Sequence, residues 1–430
     1  MKKIQAFLGM LVLLSSTLPI YAGGQQEGEE GITIWTKYNA LNPENIRDEW
    51  LKKTLEEYQA ETGKVVENIF VPYDQINSKL NVAVTAGGQV PEISYVDSQQ
   101  QAFYITNDTL MDLTDYVKNA SWYKDLSPRA LAACTAPDGR ILCVPLNIGT
   151  RVSYVWADAW PNGFPRTTTE FLKEAERIKA EGHYAITFKA SEKYGAEGLY
   201  YGLIKSYGGR YGDGKGQAGW ASPETAHAVE FLRTLFKNGY APEIDLAPGF
   251  DNERPFMQGD AVSFAGISWS YVYMNPLTAP DGTIFDNGAQ SVAKAVEAGK
   301  IIVAPYLSAP NGEPVAAITC SALAIPQGAE HIAEAKAFID WLMTTERNAE
   351  CAEAIGGLPS LRPAMDTPTF KNAYWQQVAK ITESYGAPYP ALAEYDRALT
   401  KLAQTFEALL ANPNLDSMER LKQAQEEVNR

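Results

Sequence analysis

Residues 74–117 read DQINSKLNVAVTAGGQVPEISYVDSQQQAFYITNDTLMDLTDYV, and this stretch joins a helix, a strand and an exposed polar tip. Ile76, Leu80 and Val84 recur at helical spacing, and Gly87-Gly88 supplies residues that tolerate positive φ where a helix ends. Pro91-Glu92 leads into Ile93-Ser94-Tyr95-Val96, a short apolar run of strand type, and Asp97-Ser98-Gln99 follows at once. In open α/β sheets ligands bind beyond the carboxyl ends of the strands, so this polar cluster is a candidate site. The competing role for Asp97 is a plain cap on the next helix.

Working outward, Gly31-Ile32-Thr33-Ile34-Trp35 reads as a strand running into Thr36-Lys37-Tyr38-Asn39. A helix follows with Ile46, Trp50, Leu55 and Tyr58 on one face and Gly63 as its terminator. Residues 65–71 form a second strand. Strands and helices alternating at this spacing predict parallel βαβ units, hence an α/β fold. Further along, Thr167 and Glu170 are spaced as a capping box, and Val229, Leu232, Leu235 and Phe236 mark an amphipathic helix over 226–236. The Gly- and Tyr-rich stretch 195–219 reads as an extended loop.

The first 22 residues have the form of a secretion signal. Lys2 and Lys3 precede an apolar core over 4–14, and Ile20-Tyr21-Ala22 supplies a small-residue cleavage site. That core is too short to span a bilayer, although an uncleaved anchor is the competing reading. Residues 23–30 form a polar, flexible, acidic leader, and no cysteine stands near the junction to carry a lipid. The protein is expected in the periplasm or outside the cell, soluble and monomeric. Loss of the two signal lysines takes the formal charge from −15 to −17, and so acidic a surface repels nucleic acid.

Cysteines stand at 134, 143, 320 and 351. An even number in an exported chain suggests disulfides. Cys134 and Cys143 flank the turn signal Pro137-Asp138-Gly139, and a bridge closing so short a loop would add roughly 2–3 kcal/mol. Cys320 and Cys351 are the second candidate pair. The three histidines, His183, His227 and His331, are scattered, so no metal site or cofactor is expected.

The order of several motifs resembles that of the extracellular solute-binding proteins of ABC importers, specifically the family that includes maltose-binding protein. They are Ala86-Gly87-Gly88 with Pro91-Glu92-Ile93, Leu110-Met111-Asp112-Leu113-Thr114, and Asp138-Gly139-Arg140-Ile141-Leu142-Cys143-Val144-Pro145. Phe256-Met257-Gln258-Gly259-Asp260-Ala261-Val262, Ser321-Ala322-Leu323-Ala324-Ile325-Pro326 and Gly356-Gly357-Leu358-Pro359 follow in the family's order. At 165–171 the family has Trp where this chain has Thr168. The resemblance implies a two-lobed periplasmic-binding-protein fold of class II with a ligand cleft between the lobes. It places 31–148 with 280–328 in the N-terminal lobe and 149–279 with 329–430 in the C-terminal lobe, with 147–151 at the hinge.

Aromatic residues make up 11% of the chain, including nine Trp and 23 Tyr. Aromatic faces suit sugar rings, with Asp, Asn, Gln or Arg meeting the hydroxyls. The expected ligand-binding residues are Tyr38, Asn39, Tyr73, Asp97, Gln99, Arg151, Tyr194, Tyr207 and Trp269. Trp35 and Trp220 are left between core and site. The resemblance implies capture of a sugar or oligosaccharide by lobe closure, without chemistry, and delivery to a membrane permease. The alternatives are the same fold binding a polyamine, a ferric ion (Tyr200-Tyr201 is an adjacent pair) or a peptide, a sensory role, and a secreted carbohydrate-active enzyme. Against an enzyme, no Gly-x-Ser-x-Gly, His-Glu-x-x-His or phosphate-cradling motif is present.

Overall fold

The computed structural model describes residues 31–249 and 251–430; the signal at 1–22 and the leader at 23–30 lie outside them. Within them the chain builds two principal sheets. The first has the strand order Val66–Phe70, Ile32–Thr36, Ile93–Asp97, Ser321–Ala324, Val144–Pro145. Its opening three strands are parallel, as the βαβ alternation requires, and Ser321–Ala324 runs antiparallel to its neighbours. The intervening helices end where the sequence marks them. Gly63 closes the helix Ile46–Thr62 at φ 74°, a left-handed conformation that glycine adopts without a Cβ penalty.

The second sheet is organised by the ten-residue strand Asn147–Trp156. Ser263–Ile267, Ala316–Thr319, Ile301–Ala304 and Leu358–Pro359 all pair with it antiparallel. The strand is buried along nearly its whole length, its polar residues included. One face packs on Tyr374, Trp375 and Val378 of the helix Ala373–Tyr385, and the other joins a core with Phe171, Leu232 and Phe406. The predicted capping box is present, with Glu170 N donating to Thr167 Oγ1 (3.3 Å) and Thr167 N donating to Glu170 Oε2 (3.1 Å).

The chain crosses between the sheets at single residues. Leu146 separates Val144–Pro145 from Asn147–Trp156, and Cys320 separates Ala316–Thr319 from Ser321–Ala324. The two crossings are tied together, since Leu146 N donates to Ser321 O (2.8 Å) and Ser321 N to Asn147 Oδ1 (3.1 Å).

These pairings correct the expected lobe boundaries. Ile301–Ala304 and Ala316–Thr319 belong to the second sheet, not the first, and Ile284–Phe285 pairs with Leu277–Thr278 in a small sheet of its own. Conversely, the helix Ile332–Leu342 packs on the first lobe, where Phe338 meets Tyr58 edge-on at 5.0 Å and Asp340 accepts from Tyr116 and Trp122. Thr345–Ile355 also stays there, through the Lys53–Glu350 ion pair. Periodicity marks these segments as strand or helix but does not name their partners.

Two further expectations fail. The stretch 195–219 is not an extended loop at its start: Glu192–Glu197 and Leu199–Ser206 are helices. Gly202 permits close packing, because a Cβ there would lie 2.9 Å from the Tyr306 ring and 3.1 Å from Val315 O. The disulfide candidates are likewise corrected, since Cys134, Cys143, Cys320 and Cys351 are all buried thiols. Cys134 ends the helix Pro128–Cys134 just before the antiparallel bridge of Thr135 with Ile141, so it does stand beside Cys143 across that turn, but the two remain separate thiols. Cys320 lies at the lobe crossing, beside Cys134 and Cys143, and burial pushes the Cys134 thiol well up. Cys351 belongs to a different helix, and burial alone raises it.

Candidate functional site

A cavity of about 400 Å³ opens between the two sheets. Its first wall is built where parallel strands end. Lys37 and Tyr38 follow Ile32–Thr36, Tyr73 follows Val66–Phe70, and Asp97 and Gln99 close Ile93–Asp97 and begin the next turn. Arg47 comes from the first turn of the helix Ile46–Thr62. The second wall carries Arg151 from the long strand, Trp269, Ser270 and Tyr273 beyond Ser263–Ile267, and Tyr194, Glu197, Asn252 and Glu253 from the segments between.

Seven of the nine expected residues therefore meet in one place: Tyr38, Tyr73, Asp97, Gln99, Arg151, Tyr194 and Trp269. Asn39 does not. Its backbone N donates to Asp48 Oδ1 (2.9 Å) and its Oδ1 accepts from Asn42 N (3.1 Å), so it holds a turn together. Tyr207 is also elsewhere, with its hydroxyl on Thr168 Oγ1 (3.1 Å) and its ring beside His227. Trp220 is fully buried in the second core, and Trp35 is core under Lys79. The adjacent tyrosines that hinted at iron are structural, since Tyr200 donates to Ala190 O (2.5 Å) and Tyr201 to Pro388 O (3.0 Å).

Trp269 owes its pose to glycine. A Cβ on Gly149 would fall 2.5 Å from Trp269 Cζ3, and one on Gly356 would fall 2.8 Å from Trp269 Cα. The indole thus lies flat against bare backbone and presents itself to the cavity. The Arg151 guanidinium is 6.0 Å from its ring centre and 3.7 Å from Glu197 Oε2. Arg151 Nε also donates to the Tyr389 hydroxyl (3.3 Å). Burial raises the Glu197 carboxyl above its ordinary value, and Arg151 and Lys193 partly offset this.

On the facing wall, Lys37 Nζ sits 4.5 Å from the Tyr73 ring centre and 4.4 Å from that of Tyr95, with Asp97 Oδ1 at 4.0 Å. Burial depresses its ammonium, and Asp97 works against that depression. The Tyr95 hydroxyl donates to Asp97 Oδ1 (2.5 Å), and Thr319 Oγ1 donates to Gln99 Oε1. Across one rim, Asp396 Oδ1 of the second lobe accepts from Gln100 Nε2 of the first (3.2 Å) and from Lys193 (2.7 Å).

Buried polar atoms without a hydrogen bond inside the protein are costly and so informative. Among the described residues eight side-chain atoms have this status, and four border the cavity: Arg47 Nε and Nη2, Asn252 Oδ1 and Glu253 Oε2. Another depression, of about 390 Å³, lies between the helices Tyr395–Ala411 and Ser417–Val428, and none of those eight atoms lines it.

Sequence reasoning missed Lys37, Arg47, Glu197, Asn252, Glu253 and Tyr389. Lys37 shares its strand end with Tyr38 and was within reach of the same rule. Glu197 was hidden by reading its helix as a loop, and Tyr389 arrives from far along the chain.

Residues 53–376 match the family described as bacterial extracellular solute-binding proteins. No curated protein sequence is significantly similar to this chain. Among solved structures, T. maritima MalE3 with maltose bound is 22% identical, with TM-score 0.74, over 93% of this chain and 99% of that one. The GacH receptor of Streptomyces glaucescens GLA.O, solved unliganded and with acarbose, is 16% identical, with TM-score 0.75, over 92% and 97%. An ABC transporter solute-binding protein from Thermotoga lettingae TMO, bound with α-D-tagatose, is 19% identical, with TM-score 0.74, over 93% and 98%. These likenesses establish the fold: two lobes around a cleft, in the manner of maltose-binding protein.

Proposed function

Because this chain belongs to the bacterial extracellular solute-binding proteins, we propose that it captures a sugar or oligosaccharide in the cleft and delivers it to an ABC importer's permease. The observation that carries this reading is the pairing of a presented aromatic face, Trp269, with buried polar atoms on both walls that bond to nothing in the protein. A sugar ring offers C–H patches to the first and hydroxyls to the second. A ligand that touches both walls favours closure by its differential affinity for the closed state. The structurally similar proteins with maltose, acarbose and tagatose support a sugar as cargo.

The protein acts as an exported monomer and performs no chemistry on its ligand. A polyamine is disfavoured by charge. Lys37, Arg47, Arg151 and Lys189 border the cavity alongside Asp48, Asp97, Glu197 and Glu253, so cations match carboxylates in number. Thermal unfolding against mono- and oligosaccharides, spermidine and ferric citrate tests the reading. A midpoint that rises with the concentration of a sugar, without product on prolonged incubation, supports it. A shift with spermidine or iron alone, or consumption of an oligosaccharide, overturns it.

A further inference from the structure

Resting on the sugar-binding reading, we infer that the ligand is an acidic sugar whose carboxylate is taken by Arg47, a uronate-type monosaccharide or an oligosaccharide bearing one. Nε and Nη2 form one edge of the guanidinium, the fork that grips a carboxylate with two parallel hydrogen bonds. In Arg47 both atoms of that edge are buried at the cavity, and neither has a hydrogen bond in the protein.

Among the described residues, none of the carboxylates bordering the cavity bonds to that edge. Asp48, the nearest acid in sequence, is engaged by Asn39 N (2.9 Å), Glu44 N (3.1 Å) and Asn45 Nδ2 (2.7 Å). Glu253 gives one oxygen to the Tyr273 hydroxyl (3.0 Å) and leaves the other unbonded. Arg47 is the second residue of a 17-residue helix capped by Asn45, so the positive end of the helix dipole adds to its field. Lys37 stands on the same wall, close enough for Arg47 to depress its ammonium further. The first wall therefore holds two neighbouring cations, Lys37 and Arg47, with two carboxylates, of which Asp97 faces Lys37 and Asp48 is held by the turn before its helix.

The opposite wall asks for something else. Asn252 and Glu253 are over nine-tenths buried, and Asn252 Oδ1 and Glu253 Oε2 are acceptors without donors. Hydroxyls satisfy them and a second anion does not. Between the walls lies the Trp269 face. A ring with a stacking face, hydroxyls on one side and a carboxylate on another meets all three demands, whereas a neutral sugar offers the Arg47 fork only uncharged hydroxyl oxygens, a weaker match than a bidentate carboxylate. A dianionic phosphate fits less well, because Asp97, Glu197 and Glu253 share the cavity.

The test compares glucuronate with glucose, galacturonate with galactose, and oligogalacturonides with maltotriose, by titration calorimetry on the wild type, R47Q and R47K. Glucose 6-phosphate serves as the phosphate arm. The expected result is that at least one acid binds roughly 10- to 100-fold tighter than its neutral counterpart, the span of a charge-assisted hydrogen bond. R47Q should bring that ratio close to one and R47K should restore part of it, with unliganded unfolding midpoints unchanged. Neutral sugars binding as tightly as the acids, a ratio that survives R47Q, or the phosphate binding tightest would each overturn this inference while leaving a sugar-binding protein. Binding by no sugar of either kind would overturn the proposed function and this inference with it.

Discussion

Replacing Gly149 by Ala puts a methyl carbon 2.5 Å from Trp269 Cζ3 and 2.8 Å from Cε3, well inside van der Waals contact. The indole cannot retreat as a unit, because the backbone behind it lies against Gly356. It must rotate into the cavity or the strand must shift, and overpacking of this kind costs about 1–3 kcal/mol. Remove the indole and the penalty disappears. In a Trp269→Ala background the nearest remaining neighbour is Thr319 Cγ2 at 3.4 Å, an ordinary contact. Gly149 does not have positive φ, so the alanine should then stabilise by about 0.4–1 kcal/mol through the unfolded chain. The effect of the same methyl is thus expected to change sign between the two backgrounds. Guanidinium unfolding followed by far-UV circular dichroism on the four proteins of the cycle reads the coupling. Ligand titration of Gly149→Ala should show about fivefold weaker binding, from about 1 kcal/mol of lost aromatic contact. Equal destabilisation in both backgrounds would refute the claim that glycine sets the pose of Trp269.

Three other outcomes follow from the same structure. Alkylation of the folded protein should label no cysteine, and alkylation after denaturation without reductant should label four, because Cys134, Cys143, Cys320 and Cys351 are buried thiols; mass spectrometry that counts fewer on the unfolded chain contradicts this. The Glu197 carboxyl is raised above its ordinary 4.5 by burial, so the native state holds that proton more tightly than the unfolded state. Its contribution to stability is full below about pH 4.5 and is lost as pH rises through the folded value, so Glu197→Gln should flatten the fall of the denaturation midpoint above pH 4.5. Asp396→Ala removes the bond to Gln100 across the rim and the one to Lys193 within the second lobe; since Asp396 is half exposed, the expected loss of affinity is no more than about fivefold, with a larger radius of gyration for the unliganded protein in X-ray scattering.

What the sequence disclosed was what is decided locally. Gly87 ends the preceding helix, the apolar run Ile93–Val96 makes the strand, and the polar turn that follows it puts Asp97 and Gln99 at the cleft. Tyr38, Tyr73 and Trp269 obey the same strand-end rule. Asn39 fails it by one residue, because Asp48 draws its backbone into the cap of the next helix. Long-range pairing was not legible. Ile301–Ala304 and Ala316–Thr319 look like any edge strands until Asn147–Trp156 claims them, and Ile332–Leu342 returns to the first lobe where Phe338 and Trp341 find Tyr58 and Asp340 finds Tyr116 and Trp122. Tyr389 and Arg151 are separated by 238 positions and meet through a hydrogen bond that no spacing rule anticipates.

The division of polar demand between the lobes bears on how such a protein would signal that it is loaded. Arg47 belongs to the first wall, and Asn252 and Glu253 to the second, so with the lobes apart water can serve all of them. Four polar atoms bordering the cleft are buried and the protein itself does not satisfy them. At about 1–3 kcal/mol for each buried unsatisfied group, closing on nothing costs on the order of several kcal/mol. That is comparable with the roughly 5.5 kcal/mol that carries a two-state equilibrium from 1:99 to 99:1. A ligand that satisfies the four atoms removes the penalty, and the rim contact at Asp396, weak and exposed, is too small to hold the lobes shut alone. Closure then reports occupancy because of what the cleft lacks internally, and a variant that satisfied Arg47 from within would close without cargo.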